Sequence, residues 1–183
     1  MRCGGAGNFY AVAMVKVFIL LGGLVGLDGY AVSPGILYLG HKLEAFADVT
    51  TYNWSAQREV TRQIANLDPG DKVVLIGYSG GGFAITQVAE ELNGKEPHKI
   101  DLLIAYDPSP AWSMASLGKN VAKAICYCNS HPLMLGLGGA QLRGHSVETV
   151  PISQQHLAVQ FDGSLHKRTI AEVEKLAGKG APK

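Results

Sequence analysis

Apolar residues fall along this chain in two rhythms: short unbroken runs rich in Val, Ile and Leu, and longer stretches in which they return every third or fourth position. The first rhythm marks strands at Lys16 to Leu21, Val49 to Trp54, Lys72 to Gly77, Ile100 to Tyr106 and Val121 to Cys128, with a shorter one at Val147 to Ile152. The second marks helices. Ser33 followed by Pro34 reads as an N-cap with proline in the first turn, and Ile36, Leu39, Leu43 and Phe46 then share one stripe. SAQREVTRQIANL places Val60, Ile64 and Leu67 on one face. Phe83 to Leu92 turns Ile85, Val88, Ala89 and Leu92 inward before Asn93-Gly94, and a last helix from Ser164 presents Ile170, Val173 and Leu176 ahead of the polar tail Gly178 to Lys183. Asp68-Pro69-Gly70-Asp71 is a turn by composition. Strands and helices alternating in this way predict an α/β three-layer sandwich, a mostly parallel six-stranded sheet with helices on both faces. The loop around Leu133 to Gly144, rich in glycine and leucine, is the least predictable region of the chain.

Composition narrows this picture more than it changes it. With 183 residues, 47% hydrophobic content and a net charge of +1, the chain suits one domain spanning residues 1–183. No basic run interleaved with aromatics points to nucleic acid, and no partner beyond a substrate is indicated. Phe9 to Leu27 is apolar behind Arg2 and resembles the core of a signal peptide, but cleavage there would remove the first strand. Lys16 in mid-run argues against a membrane span. Cys126 and Cys128 would share one face of a strand and would not bridge two elements, so buried free thiols are expected there and, with Cys3 as the odd cysteine, reduced thiols that fit a cytosolic protein. No histidine or second cysteine pair sits at ligand spacing, so no metal is expected.

The candidate chemistry lies in VVLIGYSGGGFA, where a strand runs into four glycines and one serine before resuming as helix. Gly77-Tyr78-Ser79-Gly80-Gly81 is G-x-S-x-G between a strand and a helix, a turn that lifts the serine hydroxyl above the C-terminal edge of the sheet. Glycine is wanted at both Gly77 and Gly81, because side chains two positions either way would meet the neighbouring strand and helix. The N–H of Gly80, at the start of the helix, can stabilise an oxyanion. Neither G-x-G-x-x-G nor a phosphate loop is present, and no cofactor is expected.

A serine needs a base, and the base an orienting acid, both from loops at the same sheet edge. Asp107 closes the fourth strand, whereas Asp101 precedes its core; Asp162 is a rival acid close to the candidate base. His156 follows the sixth strand. His145 and His98 precede strands, His41 and His166 lie in helices, and His131, just past the fifth strand, ranks next. Tyr78 and Trp112, with Met114, would line an apolar acyl pocket or belong to core and rim.

The order Ser79, Asp107, His156, together with GGLVG, GYSGGG, AYDPS and QQHLAV, resembles the α/β-hydrolase superfamily over nearly the whole chain, and in particular its compact, lid-poor esterases, lipases and cutinase-like enzymes. The resemblance implies a minimal α/β-hydrolase fold, hydrolysis of carboxylic esters through an acyl-enzyme, and a second oxyanion N–H from the Gly22-Gly23-Leu24 loop, at Leu24. A long lid insertion is missing from the sequence, so an open site suited to small-molecule, bulky or polymeric esters is expected. The chain departs from many members in carrying Gly22-Gly23 where they have His-Gly, in placing the acid on the strand next to the nucleophile's, and in lacking leading antiparallel strands. A thioesterase or acyltransferase on the same fold, or a non-catalytic scaffold, would share these features.

Overall fold

A computed structural model of the chain describes residues 13–23, 28–95, 99–109, 116–129 and 138–178. Six strands, β1 (Val15–Leu20), β2 (Asp48–Tyr52), β3 (Lys72–Tyr78), β4 (Leu102–Tyr106), β5 (Ala124–Asn129) and β6 (Val147–Ile152), form one sheet in the order β2-β1-β3-β4-β5-β6. Every neighbouring pair is parallel. The inner strands carry the unbroken apolar runs, as strands covered on both sides must. The outer strands β2 and β6 are mixed in polarity, and Pro151 is tolerated in β6 because an edge strand has a side that needs no N–H donor.

The helices are α1 (Gly29–Val32), α2 (Pro34–Leu43), α3 (Gln57–Ile64), α4 (Gly80–Leu92), α5 (His156–Val159) and α6 (Gly163–Leu176). The two-residue period of the strands sorts the core into two layers. On one side Val60 and Ile64 of α3 and Ala84, Ile85, Val88 and Leu92 of α4 pack on Phe18, Leu20, Val73, Leu75, Leu103 and Ala105. On the other, Ile36, Leu39 and Leu43 of α2, Val159 of α5 and Val173 of α6 pack on Val17, Ile19, Val74, Ile76, Tyr78 and Ile104. Each fully buried Leu or Ile contributes about 1.5–3 kcal/mol. None of the helices among the described residues is long and apolar enough to cross a membrane.

Several local expectations are corrected. Ser33 makes no side-chain cap to α2; its hydroxyl accepts from the Gly22 N–H at 2.9 Å and ties down the loop after β1. Helix α4 begins at Gly80 instead of Phe83, since glycine's poor propensity hides a first turn that the strand-to-helix corner imposes. The one-turn helices α1 and α5 are too short to show a period. Val121 stands outside β5, in an isolated bridge to Ile100. Cys126 and Cys128 are not free thiols: they are joined in a disulfide with a Cα–Cα separation of 5.6 Å. Both side chains leave the same face of β5, and the path of the backbone there brings their α-carbons to a separation well inside the roughly 4.4–6.8 Å that a disulfide spans.

Candidate active site

Parallel register brings the first two groups together. Tyr78 pairs with Tyr106 across β3 and β4, so the next residue on each strand, Ser79 and Asp107, leaves the sheet at the same edge and height. Backbone bonds from Ser79 N–H to the Tyr106 carbonyl (3.1 Å) and from Asp107 N–H to the Tyr127 carbonyl (2.7 Å) fix both corners. Ser79 (φ 53°) and Asp107 (φ 42°) are the non-glycine residues with positive φ among the described residues. Each such conformation costs on the order of 1–3 kcal/mol and persists only where its surroundings over-determine it.

At Ser79 the surroundings are the glycines. A Cβ at Gly77 would stand 2.3 Å from the Gly81 carbonyl oxygen, and one at Gly81 would stand 1.9 Å from that of Leu20, so the helix can descend onto the strand only without side chains there. The backbone N–H of Gly80 opens α4, where the first N–H groups have no intrahelical acceptor and the helix dipole favours negative charge. The Gly23 carbonyl lies beside it, within 2.5 Å of where a Gly80 Cβ would stand, which places the loop after β1 against this helix end. Leu24, the other expected oxyanion donor, and Trp112 lie outside the described residues, as do His98, Met114 and His131.

His156 opens α5, after β6. Its Nε2 stands 2.9 Å from Ser79 Oγ and its Nδ1 2.7 Å from Asp107 Oδ2. A carboxylate only accepts, so Nδ1 carries the hydrogen and Nε2 faces the serine hydroxyl as acceptor. Asp107 is fully buried, and its other oxygen, Oδ1, accepts from the N–H groups of Asn129 (3.0 Å) and Gly139 (2.8 Å). The rival residues are engaged elsewhere. Asp162 caps α6 by accepting from the N–H groups of Ser164 and Leu165, Asp101 binds Lys72 and the Val73 N–H at the opposite edge, and His166 is buried between Tyr38 and Tyr106.

The segment that holds His156 is tied to the core at three points. Asn129 Nδ2 donates to the Gln154 carbonyl (2.8 Å), the Tyr78 hydroxyl to the His156 carbonyl (3.0 Å), and the Gly35 N–H to Gln160 Oε1 (3.0 Å). Tyr78, which its sequence position left open as pocket or core, is core: it is 1% exposed and stacks on the imidazole with ring centroids 5.2 Å apart. Burial first, then the nearby Asp107 charge, pushes its phenol far above the ordinary value, so it stays protonated and donating.

Sequence reasoning missed Asn129, Gly138 and Gly139. Gly138, at φ 96°, packs its α-carbon against Asp107 and His156: a Cβ there would stand 2.2 Å from Asp107 Oδ2 and 2.4 Å from His156 Nδ1. The adjacent glycines were the available signal, but nothing local said which side chains they would approach.

No protein-family model matches the sequence, and a search of curated proteins returns no match. Solved structures do resemble it. A lid-less α/β serine hydrolase from Xanthomonas campestris matches with a TM-score of 0.56 at 11% identity, over 96% of this chain and 87% of that one. An α/β serine hydrolase homologue from Coxiella burnetii matches at 0.54 and 14%, over 94% and 88% of the two chains. Mouse α/β hydrolase domain-containing protein 10 matches at 0.54 and 10%, over 91% and 90%. At these identities the likeness is one of fold, and this chain has the α/β-hydrolase fold.

Proposed function

We propose that the chain is a serine hydrolase that cleaves carboxylic esters through an acyl-enzyme on Ser79. The observation that carries this is the hydrogen-bonded relay from Ser79 Oγ to His156 Nε2 (2.9 Å) and from His156 Nδ1 to Asp107 Oδ2 (2.7 Å), set on a strained strand-to-helix corner. Ser79 Oγ attacks the ester carbonyl while its proton passes to His156 Nε2, and Asp107 holds the imidazole in the required tautomer and stabilises its charged form. The Gly80 N–H, with the Leu24 N–H as second donor, takes the oxyanion. Collapse of the tetrahedral intermediate breaks the bond to the alcohol oxygen, which leaves with the proton from His156. A water, deprotonated by the same nitrogen, then attacks the acyl-enzyme and releases the acid and the free serine.

A scaffold that keeps the turn for packing alone has no use for two positive-φ residues and a fully buried, thrice-bonded carboxylate at one sheet edge. The test is hydrolysis of p-nitrophenyl esters from acetate to laurate, with fluorophosphonate labelling located by mass spectrometry. The wild type is expected to be labelled on Ser79, and S79A to lose about a thousandfold or more in kcat while keeping its melting temperature. A wild type that neither labels nor turns over any of these esters overturns the reading.

A further inference from the structure

The imidazole of His156 meets Asp107 at one edge and Ser79 at the other; its face rests on Tyr78, at 5.2 Å between centroids and 25° between planes. Alternation along β3 dictates this contact. Val74, Ile76 and Tyr78 face the layer that contains α5, whereas Val73, Leu75 and Gly77 face the other. A tyrosine immediately before the elbow serine is therefore delivered beneath a histidine that arrives 78 residues later in the chain. Its hydroxyl donates to the carbonyl of that same histidine at 3.0 Å, so one side chain holds both the backbone and the ring.

Resting on the serine-hydrolase reading, we propose that Tyr78 is a positioning residue whose ring also stabilises the positive charge that His156 acquires each time it takes a proton from Ser79 or from water. The face of an aromatic ring is negative, and a cation within about 6 Å of its centroid is attracted, most strongly where water is excluded. Here Tyr78 is 1% and His156 7% exposed. Neutral imidazole gains little from that face and imidazolium gains more, so the contact strengthens toward the transition state and acts on the chemical step instead of on binding. The ring does this without competing for the proton, because its buried phenol stays neutral. Asp107 supplies full charge along the edge, and Tyr78 supplies a second, weaker stabilisation from below.

The experiment separates ring charge from ring shape. Tyr78 is replaced by Phe, then by difluoro- and pentafluorophenylalanine, which keep the outline while weakening and finally reversing the negative face. Pre-steady-state acylation and kcat are expected to fall stepwise along the series, by a total between about threefold and thirtyfold. KM and melting temperature should stay near those of Y78F. A flat series, or rates that fall only in step with the melting temperature, overturns the proposal. If the pentafluoro protein does not fold, the step from Phe to difluoro-Phe decides the matter by the same criteria. Fluorophosphonate labelling of the wild type is read first: a labelled, active enzyme with a flat series removes only this inference, whereas an unlabelled, inactive one removes the hydrolase reading and this with it.

Discussion

On the serine-hydrolase reading, replacing Gly138 by alanine adds one methyl group to a residue with no part in the proposed chemistry, yet it should nearly abolish ester hydrolysis. The added carbon would stand 2.2 Å from Asp107 Oδ2 and 2.4 Å from His156 Nδ1. Ordinary contact needs roughly 3.4 Å, so the acid, the imidazole or the segment must give by about 1 Å, and a displacement of that size at reacting groups costs about a hundredfold. The upper bound is set by losing the orienting acid altogether, about ten-thousandfold. Backbone strain adds to this, because φ 96° suits glycine alone, at a cost on the order of 1–3 kcal/mol. For a chain of this length each kcal/mol lowers the melting temperature by about 2–4 °C. G138A should therefore fold, melt about 2–12 °C lower, and lose between about a hundredfold and ten-thousandfold in kcat/KM on p-nitrophenyl butyrate, mostly in kcat. Activity within about threefold of wild type in a folded G138A protein would mean that the closed acid–base pair is not what catalysis uses.

Three further outcomes follow from the packing. G81A puts a methyl group 1.9 Å from the Leu20 carbonyl oxygen in a central strand, and should cost about 3 kcal/mol or more; a melting temperature within about 2 °C of wild type would contradict the elbow packing. Asp162 is held below the usual carboxylate range, first by the Ser164 hydroxyl and then by the Leu165 and Ser164 N–H groups, so its stabilisation is present above a pH of about 4 and lost as pH falls through its folded value. D162A should lose about 1 kcal/mol of cap at neutral pH and show a flatter acid dependence in urea titrations; equal midpoints for the two proteins would refute the cap. Burial holds His166 below its ordinary value, against the opposing pull of the Gln160 backbone and Asp162, so the folded state disfavours its protonation. Stability is then complete above a pH of about 6.5 and declines as pH drops toward the folded value. H166F should show a smaller fall in urea midpoint between pH of about 7.5 and 5.5, and parallel curves for the two proteins would count against it.

Periodicity and a single turn carried most of the architecture into the sequence. Unbroken apolar runs mark strands buried on both faces, and the i, i+3, i+4 stripes mark helix faces such as Val60 with Ile64, because burial acts on neighbours within one element. G-x-S-x-G at a strand-to-helix corner was equally legible, since the need for glycine at Gly77 and Gly81 is local. Asking which acids and imidazoles follow strands nominated Asp107 and His156, and these stand within hydrogen-bond distance of each other and of Ser79. What no local pattern encodes was decided by the tertiary structure. The order of strands, the N–H of Gly139 on a carboxylate 32 residues away, the α-carbon of Gly138 against Asp107 and His156, and the ring of Tyr78 beneath His156 all depend on which distant segments meet. The same holds within one strand for Cys126 and Cys128: their shared face was readable, but whether two adjacent sulfurs join depends on the path of the folded backbone that brings their α-carbons to 5.6 Å.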